Sequence, residues 1–387
     1  MIKQKLKLLA SATLLASLAG TSISAVAGQS LISAQGLSPE AYISGGGENS
    51  GWEGRVDPNV SGSRFTGVVS LSMNIDGAFY ICTGTAISSR HILTAAHCVD
   101  ADGQGTVMDL SQANYSLTAV LNDDGNYYET PGSLIAASDV QIHPDYEGFN
   151  ICPDGTSGCV GDDVAVVTLS EDLPAGVEIY DFYSGSITNT LESGTDGTQL
   201  TMVGYGTRGD GSGYTGGPDF ASKLTGGNIV DFVDGNDEEG FGGAQEVWYA
   251  DFDGTITEGD FAGVYDTLCG FGLGCSSVLP EDNDLSDPSN PIYGEANIGG
   301  GDSGGPSFVY DALNDKYWLA AINTFGIGLG FADGSFGDVL GGIIIESYLG
   351  WVNAVMAGSV PVPEPSTIVL FALGVLGVSV ARKRKAL

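Results

Sequence analysis

Between Val56 and Ala357 the chain is a succession of short runs rich in β-branched and aromatic residues, parted by Gly, Asp and Asn. "TGVVSLSM", "FYICTGTAI", "HILTAA", "DVAVVTL", "QLTMVGYG" and "YWLAAINTF" are the clearest. Runs of this length bounded by turn residues predict strands, and many in succession predict an all-β sandwich or barrel. Helical spacing is rare. It is clearest in "IIESYLGWVNAVMAG", where Ile345, Tyr348, Leu349, Val352 and Met356 recur at helical intervals and Gly358 before "PVPEP" gives the stop. Residues 207–217 and 231–300, laden with Gly and Asp, read as loop insertions. The region is long enough for one large domain or two small ones, and neither linker-like composition nor an internal repeat divides it.

The ends follow other patterns. Lys3, Lys5 and Lys7 precede an apolar run from Leu8 to Ala19, and Ala25-Val26-Ala27 supplies small residues for cleavage, so residues 1–27 read as a secretory signal peptide. Residues 28–55, dominated by Gly, Ser and Asn, read as a flexible pro-segment or spacer. After a short linker, 358–365, the stretch from Ser366 to Ala381 is apolar and runs into Arg382-Lys383-Arg384-Lys385, which predicts a membrane helix with a basic tail over 366–387. It is short for a span, which usually takes about 20 residues. The basic cluster would hold its end on the cytoplasmic side, leaving everything between the two segments outside.

Charge narrows the partners. Residues 28–361 hold six Lys and Arg against 47 Asp and Glu, a net charge of −41. Phosphate backbones would be repelled, so nucleic acid is not an expected partner. Oxygen ligands cluster in "DFDGTITEGD", 251–260, and "DGNDEEG", 234–240; calcium could sit there, but neither stretch has EF-hand spacing, and solvated acidic loops are the expected reading, with no cofactor. Six cysteines in an exported chain predict disulfides. Pairing in sequence order, Cys82 with Cys98, Cys152 with Cys159 and Cys269 with Cys275, closes three small loops, and no CxxC spacing suggests a metal.

The candidate chemistry begins at "GGGDSGGP", 299–306, where Ser303 lies between an aspartate and glycines. A serine hydroxyl needs a base to take its proton, and His is the usual base. Of the three histidines, His91 begins a strand-like run and His143 sits in a turn-forming "QIHPDY"; His97, in "LTAAHC", follows a strand beside a cysteine. A carboxylate to orient the imidazole is offered by Asp162 and Asp163 at the mouth of "DVAVVTL", with Asp163 adjoining the strand and Asp162 a solvated neighbour. "GDSGG" also satisfies G-x-S-x-G, but the hydrolase fold with that elbow needs its His after the Ser, and no His follows His143. An Asp-His-Ser order would need Asp57 or Asp76 ahead of His97, without the glycine-rich surroundings expected there. The order that remains is His97, Asp163, Ser303.

With "TAAHC" and "GDSGGP" both present, the chain resembles the trypsin/chymotrypsin family of serine proteases from about Val56 to Ala357. The resemblance implies two six-stranded antiparallel β-barrels with a C-terminal helix, and the site in the cleft between them. It implies Ser303 as nucleophile, His97 as general base and then acid, Asp163 as orienting carboxylate, and the N–H groups of Gly301 and Ser303 as oxyanion hole. It also implies a Cys82–Cys98 disulfide bracing the histidine loop, and an activation step in which cleavage after Arg55 frees the Val56 amine to meet Asp302. In the specificity pocket, Asn297 stands where trypsin-like enzymes carry an aspartate, and Thr324, Phe325 and Gly326 resemble the segment that pairs with substrate backbone. Gly299 replaces a family cysteine, so the disulfide across the pocket is lost. The function implied is hydrolysis of polypeptide substrates by an exported endopeptidase; the alternative is a catalytically silent binding module or a matrix component of a biofilm. "VPEPSTIVLFALGVLGVSVARKRK" resembles the PEP-CTERM sorting tail of Gram-negative bacteria, which implies recognition of Pro363-Glu364-Pro365 by an exosortase-type transpeptidase and only transient anchoring in the inner membrane.

Overall fold

The computed structural model describes residues 41–45, 57, 63–121, 134–189, 197–218, 222–256, 259–277, 279 and 295–359. The expected signal peptide, Arg55, Val56 and the sorting tail lie outside the described residues. Six strands form a closed barrel: β1 (Val68–Ile75), β2 (Ala78–Ala86), β3 (His91–Thr94), β4 (Tyr115–Val120), β5 (Leu134–Ile142) and β6 (Ala165–Leu169). Their order is β1-β2-β3-β6-β5-β4, with β4 returning to β1. The first hairpin shows how sequence sets register. Ile75 pairs with Ala78, leaving Asp76-Gly77 as a two-residue loop with positive φ at both, 51° and 88°, the backbone that an Asp-Gly hairpin favours. Val69 and Leu71 of β1, Ile92 and Leu93 of β3 and Val166 and Val167 of β6 are all fully buried, so both faces of β3 and β6 are covered.

A second sheet has seven strands: β7 (Gln199–Gly204), β8 (Leu224–Ile229), β9 (Phe232–Asn236), β10 (Gly242–Asp251), β11 (Pro306–Asp311), β12 (Lys316–Ile327) and β13 (Val339–Ile344). Its order is β8-β7-β11-β12-β13-β10-β9. The two-barrel architecture expected from the sequence is thus present as one closed barrel and one rolled sheet of seven strands rather than six. The end strands β8 and β9 are joined only by Val230 and Asp231, so the sheet's two edges must lie within a few residues' reach of each other. Leu200, Met202, Trp248, Ala250, Ile298, Leu340 and Ile344 share one core.

Two expectations are corrected. The stretch 231–300, read as loop insertion, contributes β9 and β10 to the sheet, because Phe232, Val247, Trp248 and Tyr249 are buried in it despite their Asp- and Gly-rich surroundings. It also carries a hairpin, Gly254–Ile256 with Gly263–Tyr265, and the short helix α1 (Thr267–Phe271). Within 28–55, read as a flexible spacer, Ala41–Gly45 is a strand paired antiparallel with Ala296–Gly299. All three disulfides form in sequence order: Cys82–Cys98, Cys152–Cys159 and Cys269–Cys275. The predicted closing helix is present as α2 (Leu349–Met356), with Val352 and Val355 buried; among the described residues no helix is long and apolar enough to cross a membrane.

Candidate active site

His97 lies in a single 3-10 turn, Ala96–Cys98, directly after β3. The Cys82–Cys98 bond ties that turn to β2, so the imidazole is carried on backbone fixed at both ends. Asp163, 0% exposed, reaches it from the approach to β6. One carboxylate oxygen accepts the His97 backbone N–H at 2.8 Å and the other lies 2.7 Å from Nδ1. Two contacts from one carboxylate fix ring position and orientation together. Phe149 closes one side, its ring edge-on to the imidazole at 5.2 Å.

The aspartates adjoining this strand divide sharply. Asp162, expected to be solvated, is only 4% exposed. Its left-handed backbone, φ 60°, turns the side chain inward, where Oδ1 lies 2.9 Å from His143 Nδ1 and the Asp162 N–H donates to the Tyr348 hydroxyl at 2.9 Å. Asp162 therefore anchors the loop from beneath while Asp163 faces His97.

Ser303, 2% exposed, stands in the turn between the strand Ala296–Gly299 and β11. Its carbonyl accepts the N–H of Thr83, on β2, at 2.9 Å. Thr83 Oγ1 also donates to the Gly301 carbonyl at 2.7 Å and accepts the Tyr205 N–H at 3.1 Å. The Cys98 sulfur lies 3.7 Å from the Ser303 carbonyl oxygen and 3.9 Å from His97 Nε2. Two elements separated by about two hundred residues thus meet around a single sulfur. Sequence reading missed Thr83. Its signal was its place next to Cys82 on the strand that faces the serine turn.

The remaining candidate residues are distributed around this turn. Gly301 has φ 107°, and a Cβ there would fall 2.9 Å from Pro218 and 3.0 Å from Gly206, so neither the backbone nor the space admits a side chain. Asp302 is fully buried, its carboxylate accepting the N–H of Gly206 at 2.7 Å and of Gly299 at 3.0 Å. Gly206 is required there because a Cβ would stand 2.3 Å from Asp302 Oδ2. Asn297, 1% exposed, lies on the strand leading to the turn; Oδ1 accepts the Ile298 N–H at 2.8 Å and Nδ2 has no partner among the described residues. Thr324 sits at a bulge of β12, and Phe325 and Gly326 pair with Gly341 and Leu340 of β13. On the other edge of 324–327 no strand is paired among the described residues. Phe325 is fully buried against Tyr249, at 5.3 Å, so the segment presents backbone rather than this ring.

Residues 56–228 match the family model described as Trypsin, and residues 361–385 match the PEP-CTERM protein-sorting motif. The first span contains His97 and Asp163 and ends before Ser303. The venom serine protease Bi-VSP of Bombus ignitus is 35% identical over 99 residues, 26% of this chain and 22% of that protein. Serine protease Hayan of Drosophila melanogaster is 32% identical over 119 residues, 30% of this chain and 15% of that one. The chain therefore spans less than a quarter of the length of either relative. Among solved structures, that of protease Anisep from Arthrobacter nicotinovorans aligns over 76% of this chain and 95% of its own, with 13% identity and a TM-score of 0.41.

Proposed function

We propose that this chain, which carries a trypsin-family domain and a PEP-CTERM sorting motif, is an exported serine endopeptidase that cleaves polypeptides through an acyl-enzyme. Ser303 is the nucleophile, His97 takes and returns its proton, and Asp163 holds the ring and stabilises it once protonated. The observation that carries this reading is the double contact of Asp163 on His97, with the opposite ring nitrogen and the Ser303 backbone carbonyl gathered at the Cys98 sulfur.

The oxyanion hole is assigned to the N–H groups of Gly301 and Ser303. Both preceding peptides are pinned by their carbonyls: Gly300 O accepts the Thr207 N–H at 3.1 Å, and Asp302 O accepts the Gly305 N–H at 2.8 Å. A trans peptide points its N–H opposite its C=O, so the two amides are held in fixed directions before any charge develops. Donors that need no reorientation stabilise the tetrahedral intermediate most, each contributing about 2.7–4 kcal/mol. Substrate backbone is taken up along the unpaired edge of Thr324–Gly326 as an added strand. Asn297 offers an amide in place of a charge, which favours an uncharged or polar side chain over Lys or Arg.

Activation follows cleavage after Arg55, with the Val56 amine directed to Asp302. Asp57 supports this placement: its N–H donates to Lys223 O at 2.9 Å and its carboxylate lies 3.0 Å from Lys223 Nζ. Lys223 precedes Leu224, which pairs with Gly204, where a Cβ would be 2.0 Å from Asp302 Oδ1. N-terminal sequencing of active protein should return Val56; activity in a chain that keeps Arg55 joined to Val56 refutes the step. An exosortase-type enzyme acting at the tail then delivers the protein to the cell surface or the medium.

The central test is labelling with a fluorophosphonate. The wild-type chain should be labelled and hydrolyse a peptide library, and Ser303→Ala should do neither while keeping its circular dichroism. Labelling that survives in Ser303→Ala, or a folded wild-type chain that takes no label after processing, removes the assignment.

A further inference from the structure

Beyond the end of β10, three aspartates converge in a corner with no ion pair to a protein cation among the described residues. One carboxylate oxygen each from Asp251, Asp253 and Asp266 all lie within 4.8 Å of one another. Asp251 is 1% and Asp253 2% exposed, and Oδ1 of each has no hydrogen-bond partner among the described residues. A buried carboxylate left unpaired is strongly disfavoured, so two such carboxylates grouped with a third call for a positive charge among them.

The described residues around it supply none. Asp251 Oδ2 is used by the N–H groups of Thr267 and Leu268, the latter at 2.8 Å, and Asp266 caps helix α1 by accepting the Cys269 N–H at 3.2 Å. Further negative charge stands close by, for Asp231 Oδ2 lies 3.4 Å from the Asp251 nitrogen and Glu295 acts electrostatically on Asp253. The cations are spent elsewhere. Arg64, Arg90, Lys223 and Lys316 pair with Asp315, Asp172, Asp57 and Asp181, and residues 28–361 contain only Arg55 and Arg208 besides.

We propose that this corner binds calcium, with Asp251, Asp253 and Asp266 supplying carboxylate oxygens. Calcium accepts six to eight oxygen ligands in flexible geometry, which suits carboxylates brought together from a strand end and a helix cap, whereas magnesium demands near-ideal octahedral geometry. Ligand type agrees, since all three donors are hard oxygens and the nearby Cys269 and Cys275 are joined in a disulfide. The bound ion would tie the end of β10 to α1 and its disulfide loop. Glu295, in the same negative field, directly precedes the strand Ala296–Gly299 that carries Asn297 toward the serine turn, so the ion would also steady one wall of the candidate pocket.

The full-length chain, stripped with EGTA and dialysed, is titrated with calcium chloride in a calorimeter and melted with and without the ion. Wild type should show saturable uptake and a calcium-dependent rise in Tm, with a weaker response to magnesium chloride. Asp253→Asn should lose about tenfold or more in affinity and the Tm rise with it. In EGTA it should melt at or above the wild-type temperature, since the substitution removes an uncompensated buried charge, which also shows that the variant folds. Asp237→Asn, in a second acidic group formed with Asp162 and Glu238, should leave calcium affinity unchanged. The proposal is overturned by the absence of saturable uptake in wild type, by undiminished affinity in Asp253→Asn, by loss in Asp237→Asn instead, or by equal responses to the two ions.

Discussion

Asp163 and Asp253 are buried to nearly the same degree, 0% and 2% exposed, yet they stand in opposite circumstances. Each oxygen of Asp163 has a donor, one the His97 amide and one the imidazole. Asp253 has an oxygen with no partner and faces two more aspartates. Burial alone therefore says little about what a carboxylate does. What matters is whether the protein itself provides the compensating donor, as it does beside β6, or leaves that to something from solution, as it does beyond β10. Asp302, satisfied by two backbone N–H groups, belongs with Asp163 in this division.

The division can be broken from either side. The largest effect should come from Asp163→Asn, which keeps shape but cannot fix the imidazole in the required tautomer; kcat for peptide hydrolysis should fall by about 10⁴-fold with the melting temperature little changed. A loss of only a few fold would mean that His97 is oriented by something else. Asp253→Asn should do the reverse, sparing the chemical step and removing the calcium response. A smaller effect should appear with pH. Asp234 and Glu246 each keep one buried oxygen without a partner, and burial pushes both up to about 7. Their unfolded values lie near about 4, so the folded state binds their protons more tightly. The stability they contribute is complete below that lower value and is lost as pH rises through about 7. Melting followed from pH 5 to pH 8 should show Tm falling, with a flatter slope in the Asp234→Asn, Glu246→Gln double variant. A slope that the double variant leaves unchanged would assign the trend to general charge repulsion.

Much of the fold was legible because the strands obey a local rule. The six quoted apolar runs fall in β1, β2, β3, β6, β7 and β12, and the Asp76-Gly77 turn carries its own backbone signal. Loops misled where composition masked burial. The density of Asp and Gly in 231–300 hid β9 and β10, since the residues that decide a strand there, such as Trp248 and Tyr249, are a minority among polar neighbours. Ala41–Gly45 was illegible for another reason: its pairing partner lies about 250 residues away, and a five-residue strand is too short to show a pattern without that partner.

The sequence by itself determined the strand-rich class, the acidic surplus and the order His97, Asp163, Ser303, because each depends on residue type, local spacing or succession along one chain. Only the tertiary structure decided that Asp162 turns inward to His143, that Thr83 grips the serine turn, and that Asp251, Asp253 and Asp266 share one corner. Those outcomes depend on which distant groups arrive within a few ångströms of each other. For a buried charge, that arrival settles everything, since the strength of its pairing grows as water is excluded and vanishes when no donor is there to meet it.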